Sequence, residues 1–286
     1  MNTKITLAIQ KSGRLNEGTI ELLNRCGIRI SNGNNHLKAL AEGFPMEVLL
    51  LRDDDIPQYV ADGVADIGIL GYNEVLEKGK DIEVIRELGF SRCRLSIAVP
   101  RDVNYSGRQW LSGKRIATSY PEILKTFLNQ NAIEADIHTI SGSVEITPGI
   151  GMADAIFDIV SSGGTLLSNN LKEVDVIMKS EAVLVANKSL DEQKSELLKK
   201  LEFRIEAVRK AQRNKYILLN APKDKLNQII SLIPGMKSPS VLPLAIEGWC
   251  SLHSVVNEDD FWEVIGRLKD AGAEGILVVP IEKMVI

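Results

Sequence analysis

The run Ala65-Asp66-Ile67-Gly68-Ile69-Leu70-Gly71 reads as a buried strand that leaves through a glycine, and it follows a helix that Pro57 helps begin and that ends near Gly63. Residues 5–9 supply an earlier apolar strand. A helix feeding such a strand is the βαβ pattern of an open sheet, whose ligands gather at the carboxyl ends of the strands. That pattern constrains the rest of the chain.

The first strand leads through Gln10-Lys11-Ser12-Gly13-Arg14 into a helix with Leu15, Thr19, Leu22, Leu23 and Cys26 near one face and Gly27 as its stop. A strand, a turn carrying Lys11, Ser12, Gly13 and Arg14, and a helix N-terminus suit an anion; a helix cap with two solvated cations accounts for the same residues. Residues 37–41 and 47–51 read as paired strands around Gly43-Phe44-Pro45. Beyond Arg52, one of Asp53, Asp54 and Asp55 is expected to N-cap the helix at Pro57. Residues 82–88 form another strand, and 92–100 cross out of the first lobe. Strand 114–119, helix 121–131 and strand 137–140 repeat the alternation, with Pro121 in the first helical turn. The polar turn Gly142-Ser143-Val144-Glu145 follows, and strands 174–178 and 182–186 close the second lobe and return to the first.

Between them lies Asp154-Ala-Ile-Phe-Asp158-Ile-Val-Ser161-Ser162-Gly163-Gly164-Thr165-Leu166. On a strand Asp154, Ile156, Asp158 and Val160 share one face, so the two carboxylates are expected to point the same way. The following glycines permit a tight turn with bare N–H groups, and Ser161, Ser162 and Thr165 add hydroxyls. Such a cradle suits a phosphate, and two adjacent acids suit ribose hydroxyls or a hydrated Mg²⁺. An ordinary strand ending in a loop has the same composition.

A helical pattern over 191–213 carries Leu197, Leu198, Leu201, Ile205 and Val208 on a stripe, and at ~1.5 Å per residue spans on the order of 35 Å, enough to bridge lobes or an oligomer interface. Strand 216–219, helix 224–232, strands 241–246 and 252–256, helix 258–271 and strand 276–279 then make a ferredoxin-like βαββαβ unit, with Pro234-Gly235 and Pro239 in a loop. It shows no catalytic constellation, which points to regulation or assembly.

A chain of 286 residues implies two or three domains, and a net charge of −4 argues against nucleic-acid partners. Cys26, Cys93 and Cys250 are odd in number and far apart, as in a reduced cytosolic protein. His36, His138 and His253 are too scattered for a zinc motif. With no export signal and no long apolar run, the expectation is a cytoplasmic protein without membrane contact.

Gln10-Lys-Ser-Gly-Arg14-Leu, Arg52-Asp-Asp-Asp-Ile-Pro57, Gly113-Lys-Arg-Ile-Ala-Thr-Ser-Tyr-Pro121, Gly142-Ser-Val-Glu145, Ala153-Asp-Ala-Ile-Phe-Asp158, Ser162-Gly-Gly-Thr-Leu166 and Leu277-Val-Val-Pro-Ile-Glu-Lys-Met284 together resemble the long form of ATP phosphoribosyltransferase over essentially the whole chain. The resemblance implies an α/β fold of two periplasmic-binding-protein-like lobes with a central cleft, lobe I from 1–92 and 180–211 and lobe II from 93–179. A ferredoxin-like regulatory domain over 212–286 completes it. It implies the first step of histidine biosynthesis, in which N1 of the ATP adenine attacks phosphoribosyl diphosphate and diphosphate leaves. Adenine N1 carries a free lone pair, so positioning and leaving-group stabilisation are the site's main tasks.

By the same resemblance Asp154 and Asp158 hold the ribose hydroxyls, and Ser161, Ser162, Gly163, Gly164 and Thr165 hold the 5′-phosphate. Ser162 departs from the threonine expected in close relatives but keeps the hydroxyl. Lys11, Ser12, Gly13, Arg14, Arg52, Asp53, Gly71 and Glu145 form the ATP and AMP side of the cleft, and Ser238 and Ser240 belong to a histidine effector loop. Mg²⁺ is implied, held largely by substrate phosphates; no catalytic residue or metal ligand is assigned. Histidine and AMP are implied as inhibitors, and a dimer and hexamer as assemblies. A cytosolic bilobed sensor or solute-binding protein without turnover is the alternative from a different class.

Overall fold

The computed structural model describes residues 3–31, 37–233 and 238–285. His36, Pro234 and Gly235 lie outside them. The chain parts into two compact units, Ile28–Leu197 with the segment up to Asn24, and Leu198–Ile286 with Arg25–Gly27. The division falls inside one long helix.

In the first unit the order is β1 (Ile5–Gln10), α1 (Arg14–Arg25), β2 (Arg29–Ile30), β3 (Lys38–Glu42), β4 (Met46–Leu51), α2 (Ile56–Ala61), β5 (Ile67–Gly71), α3 (Tyr72–Lys78) and β6 (Ile82–Glu87). The chain then crosses to β7 (Cys93–Pro100), β8 (Arg115–Thr118), α4 (Pro121–Gln130), β9 (Asp136–Thr139), β10 (Ala155–Val160), α5 (Gly164–Ser168) and β11 (Leu171–Ser180). It returns in β12 (Ala182–Asn187) and enters α6 (Glu192–Gln212).

Two sheets result, ordered β2-β3-β4-β1-β5-β12-β6 and β11-β7-β10-β8-β9. β1 runs parallel to β4 and β5, and β8 parallel to β9 and β10, so each lobe has a carboxyl edge made of several strand ends. Ile5, Leu7 and Ile9 in β1 and Ile67, Ile69 and Leu70 in β5 are fully buried. Each such side chain contributes roughly 1.5–3 kcal/mol on leaving water. In β10, Ala155, Ile156 and Phe157 are buried in the second sheet. α1 lies close to the crossover: a Cβ on Gly18 would stand 2.4 Å from the Phe90 ring. Gly27, at φ +73°, takes the left-handed conformation beyond the helix end.

One local expectation fails. Asp55 occupies the N-cap of α2, yet its side chain makes no capping hydrogen bond, because Asp53–Asp55 form a 3₁₀ turn that leads straight into the helix.

The second unit contains β13 (Asn214–Pro222), α7 (Leu226–Leu232), β14 (Ser240–Pro243), β15 (Trp249–Asn257), α8 (Glu258–Asp270) and β16 (Glu274–Pro280). The antiparallel order β14-β15-β13-β16 is that of a ferredoxin-like βαββαβ sheet. Ile217, Leu219, Leu252 and Val256 alternate onto a core with Ile229, Phe261 and Leu268. No helix among the described residues is long and apolar enough to cross a membrane.

Candidate active site

The side chains singled out in the sequence cluster at strand ends. Lys11, Ser12, Gly13 and Arg14 follow β1, Arg52 and Asp53 follow β4, and Gly71 ends β5. Across the cleft, Ser161–Thr165 follow β10, and Glu145 lies in the turn beyond β9. The two edges meet: Arg14 Nη1 donates to Ser161 Oγ at 3.4 Å. A cavity of about 350 Å³ opens there, lined from the first lobe by Gln10, Arg14, Asp53, Gly71, Asn73 and Glu74, and from the second by Ile159 and Ser161. Ser91, Arg92 and Cys93 of the crossover complete it. Lys11, Ser12, Gly13, Arg52, Glu145, Asp158, Ser162, Gly163, Gly164 and Thr165 stand outside this lining.

Gly163 takes φ +82°, a left-handed turn that a side chain would strain, and Gly164 opens α5. Ser161, Ser162 and Thr165 are exposed, so their hydroxyls are available to a ligand. Gly71 is needed for a different reason: a Cβ there would lie 2.4 Å from Asn73 Oδ1. Asn73 is in turn fixed by Ser180, whose Oγ donates to Asn73 Oδ1 at 2.8 Å and accepts from Asn73 N at 3.0 Å.

Asp154 stands apart from the loop. It lies just before β10, at the amino edge of the sheet, whereas the loop leaves the carboxyl edge after Val160. At ~3.3 Å per residue it stands about 13 Å along the strand from Asp158. Its carboxylate accepts from Arg115 Nη2 at 3.0 Å, Arg115 Nε at 3.2 Å and Arg115 N at 2.9 Å. Those hydrogen bonds hold its pKa below the usual carboxylate value. Asp154 ties β8 to β10, while Asp158 alone of the two acids sits near the loop.

Asp158 is pushed up to about 6, first by burial and further by the charge of Glu145, while the Ile159 N–H at 2.8 Å opposes the rise. Glu74 is pushed up to about 7 by burial and by Asp53, with Lys78 and a hydrogen bond from Tyr120 pulling back. Burial and the charges of Glu74, Asp158 and Asp53 drive the Tyr120 phenol well above its ordinary value, so it stays a protonated donor. Four acids thus surround the cleft from both lobes. The guanidinium groups of Arg14 and Arg92 line the same cavity, so the cleft presents charges of both signs. Among the described residues no three His, Cys, Asp or Glu side chains gather closely enough to hold a metal by themselves.

Asn73 and Glu74 line the cavity and Tyr120 neighbours Glu74, and none of the three was given a role from the sequence. Tyr120 lay inside the Gly113–Pro121 motif without a role, and Glu74 sits on a helix whose only signal was the glycine before it.

Comparison with known proteins decides what this cleft belongs to. The ATP phosphoribosyltransferase family model matches residues 52–207, and the model of the HisG C-terminal domain matches residues 211–283. An ATP phosphoribosyltransferase from Bacteroides thetaiotaomicron is 59% identical over 282 residues, covering 99% of this chain and 100% of its own. The chain belongs to the ATP phosphoribosyltransferase family. Like other ATP phosphoribosyltransferases it is a glycosyltransferase-type enzyme of histidine biosynthesis. The solved ATP phosphoribosyl transferase (HisG:HisZ) complex from Thermotoga maritima aligns at TM-score 0.60 and 30% identity, covering 71% of this chain and 98% of that one. A histidine kinase sensor domain similar to periplasmic binding proteins aligns at TM-score 0.51 and 13% identity, over 72% of this chain and 90% of its own. That likeness is one of fold alone, so the sensor reading gains no support from it.

Proposed function

We propose that the cleft binds phosphoribosyl diphosphate on the second lobe and ATP against the first, and that closure brings adenine N1 onto the anomeric carbon. The observation that carries this reading is the meeting of Arg14 and Ser161, 3.4 Å apart, around one cavity. Asp158 holds the ribose hydroxyls, and Ser161, Ser162, Gly163, Gly164 and Thr165 seat the 5′-phosphate. Lys11, Ser12, Gly13, Arg14, Arg52, Asp53, Gly71 and Glu145 shape the ATP side, where AMP would compete. The N1–C1′ bond forms as the C1′–O bond breaks, and diphosphate leaves with the electron pair. Holding both substrates in line supplies most of the rate, since N1 needs no prior deprotonation. Mg²⁺, when bound, neutralises charge on the departing diphosphate.

The C-terminal unit is the seat of feedback inhibition by histidine, through the exposed Ser238 and the neighbouring Ser240, which lies in register with His253. The chain assembles as a homodimer and a hexamer, and the enzyme works in the cytoplasm. The test is diphosphate release by the purified protein, expected only when phosphoribosyl diphosphate, ATP and Mg²⁺ are all present. Tight binding of one substrate without turnover would sink the reading. Histidine should inhibit that turnover, and Ser240→Ala should relieve the inhibition.

A further inference from the structure

Arg94 stands one residue into β7, where a cation near the strand end could serve the substrate's phosphates directly. Its contacts direct it elsewhere. Nε and Nη2 donate to the two oxygens of Glu173 at 2.5 and 2.6 Å, a two-armed pair across β7 and β11. Nη1 donates to the backbone carbonyl of Ser161 at 3.0 Å. Ser96, 1% exposed, donates its hydroxyl to Glu173 Oε1 at 2.6 Å. The register places Arg94 opposite Val160 and Ser96 opposite Asp158, so this network shares a sheet face with Asp158 and ends at the first residue of the loop. β11 is bulged between Glu173 and Asp175, a device that re-aims a side chain.

We infer that Arg94 and Glu173 are positioning residues for the phosphate loop, the guanidinium pinning the Ser161 carbonyl while Glu173 and Ser96 fix the guanidinium. The peptide plane gives this pin its consequence. In a trans peptide the Ser161 C=O and the Ser162 N–H point in opposite directions. Holding the carbonyl toward Arg94 therefore turns the Ser162 N–H away from β7 and sets the entry angle for Gly163 and Gly164. The inference rests on the reading of residues 161–165 as the 5′-phosphate seat.

Steady-state kinetics of the full chain test it with Glu173→Gln, Arg94→Lys and Thr165→Ala. Glu173→Gln should raise KM for phosphoribosyl diphosphate roughly tenfold, while KM for ATP and kcat at saturation stay near the parent values. Arg94→Lys keeps the charge but lacks a fork that can hold Glu173 and the carbonyl together, so it should show the same rise. If Arg94 instead met the substrate as a free charge, releasing it from Glu173 would leave that KM unchanged or lower it, and Arg94→Lys would be nearly silent; either result overturns the inference. Should Glu173→Gln fail to fold, Arg94→Lys decides alone. Thr165→Ala separates the two readings. A raised KM there with a silent Glu173→Gln keeps the phosphate seat and removes the pin, whereas no effect of Thr165→Ala removes the seat itself.

Discussion

Glu77, on α3 of the first lobe, accepts the backbone N–H of Ile123, on α4 of the second, at 3.0 Å. Its other carboxylate oxygen takes the N–H of Glu122 at 3.1 Å. The first amides of a helix have no partner within it, Pro121 has no N–H to offer, and Tyr120 at the N-cap provides no side-chain cap. A carboxylate from one lobe therefore caps a helix of the other. Glu74, one turn earlier on α3, is electrostatically coupled to the Tyr120 phenol at the same helix start.

Removing the clasp should loosen α4 before it harms either core. Glu77→Ala is expected to cost about 1–2 kcal/mol, the scale of a lost cap, and Glu77→Gln distinctly less because an amide oxygen remains. Urea denaturation measures the loss, and hydrogen exchange should quicken at Glu122 and Ile123. Unchanged exchange at both amides would mean the clasp contributes nothing.

Glu74 makes a pH-dependent prediction. Its carboxyl titrates near 7 in the fold and near 4.5 unfolded, so between these values the folded state holds the extra proton. Stability from this group is intact below about 4.5 and is lost as pH rises through 7, by on the order of 3 kcal/mol. Glu74→Gln should therefore be more stable than the parent at pH 8, with the gap closing at pH 5. A gap that widens toward acid would reverse the sign and remove the argument.

Asp158 titrates near 6, so its charge is present at neutral pH and fades below. If the ionised form holds ribose hydroxyls, phosphoribosyl diphosphate affinity should weaken as pH falls through 6. Asp158→Asn should flatten that profile and weaken phosphoribosyl diphosphate roughly tenfold, with little change for ATP. Calorimetric titration of each ligand distinguishes these outcomes, and equal weakening of both would remove the specific role.

What could be read from the chain alone was local. Alternating apolar strands, Pro121 in a first turn and the glycine after β5 each declare themselves within a few residues, and so does the βαββαβ order after α6. α3 escaped because it begins directly at Gly71 with no capping residue, and α5 because five residues show no period. The clasps and pins lie beyond any pattern: Glu77 meets Glu122 at 45 residues' separation and Arg94 meets Glu173 at 79. Asp154 shows the limit most plainly. Strand alternation puts it on Asp158's face, but which end of the strand borders the cleft is a property of the sheet.

Asp154 should therefore behave as a structural acid. Its partner Arg115 approaches from β8 with two guanidinium nitrogens and its own backbone N–H, and both side chains remain about a third or more exposed to water. Screening limits such a pair, so Asp154→Asn should cost about 1 kcal/mol of stability. The acid's pKa is lowered in the fold, so its stabilisation is present above about 3.8, the ordinary value, and disappears as pH falls through the depressed one. The parent should thus lose its advantage over Asp154→Asn in strong acid. Phosphoribosyl diphosphate binding is the deciding measurement: Asp154→Asn should leave it near the parent value, where Asp158→Asn weakens it. A loss of affinity as large as that of Asp158→Asn, without a loss of stability, would return Asp154 to the ribose.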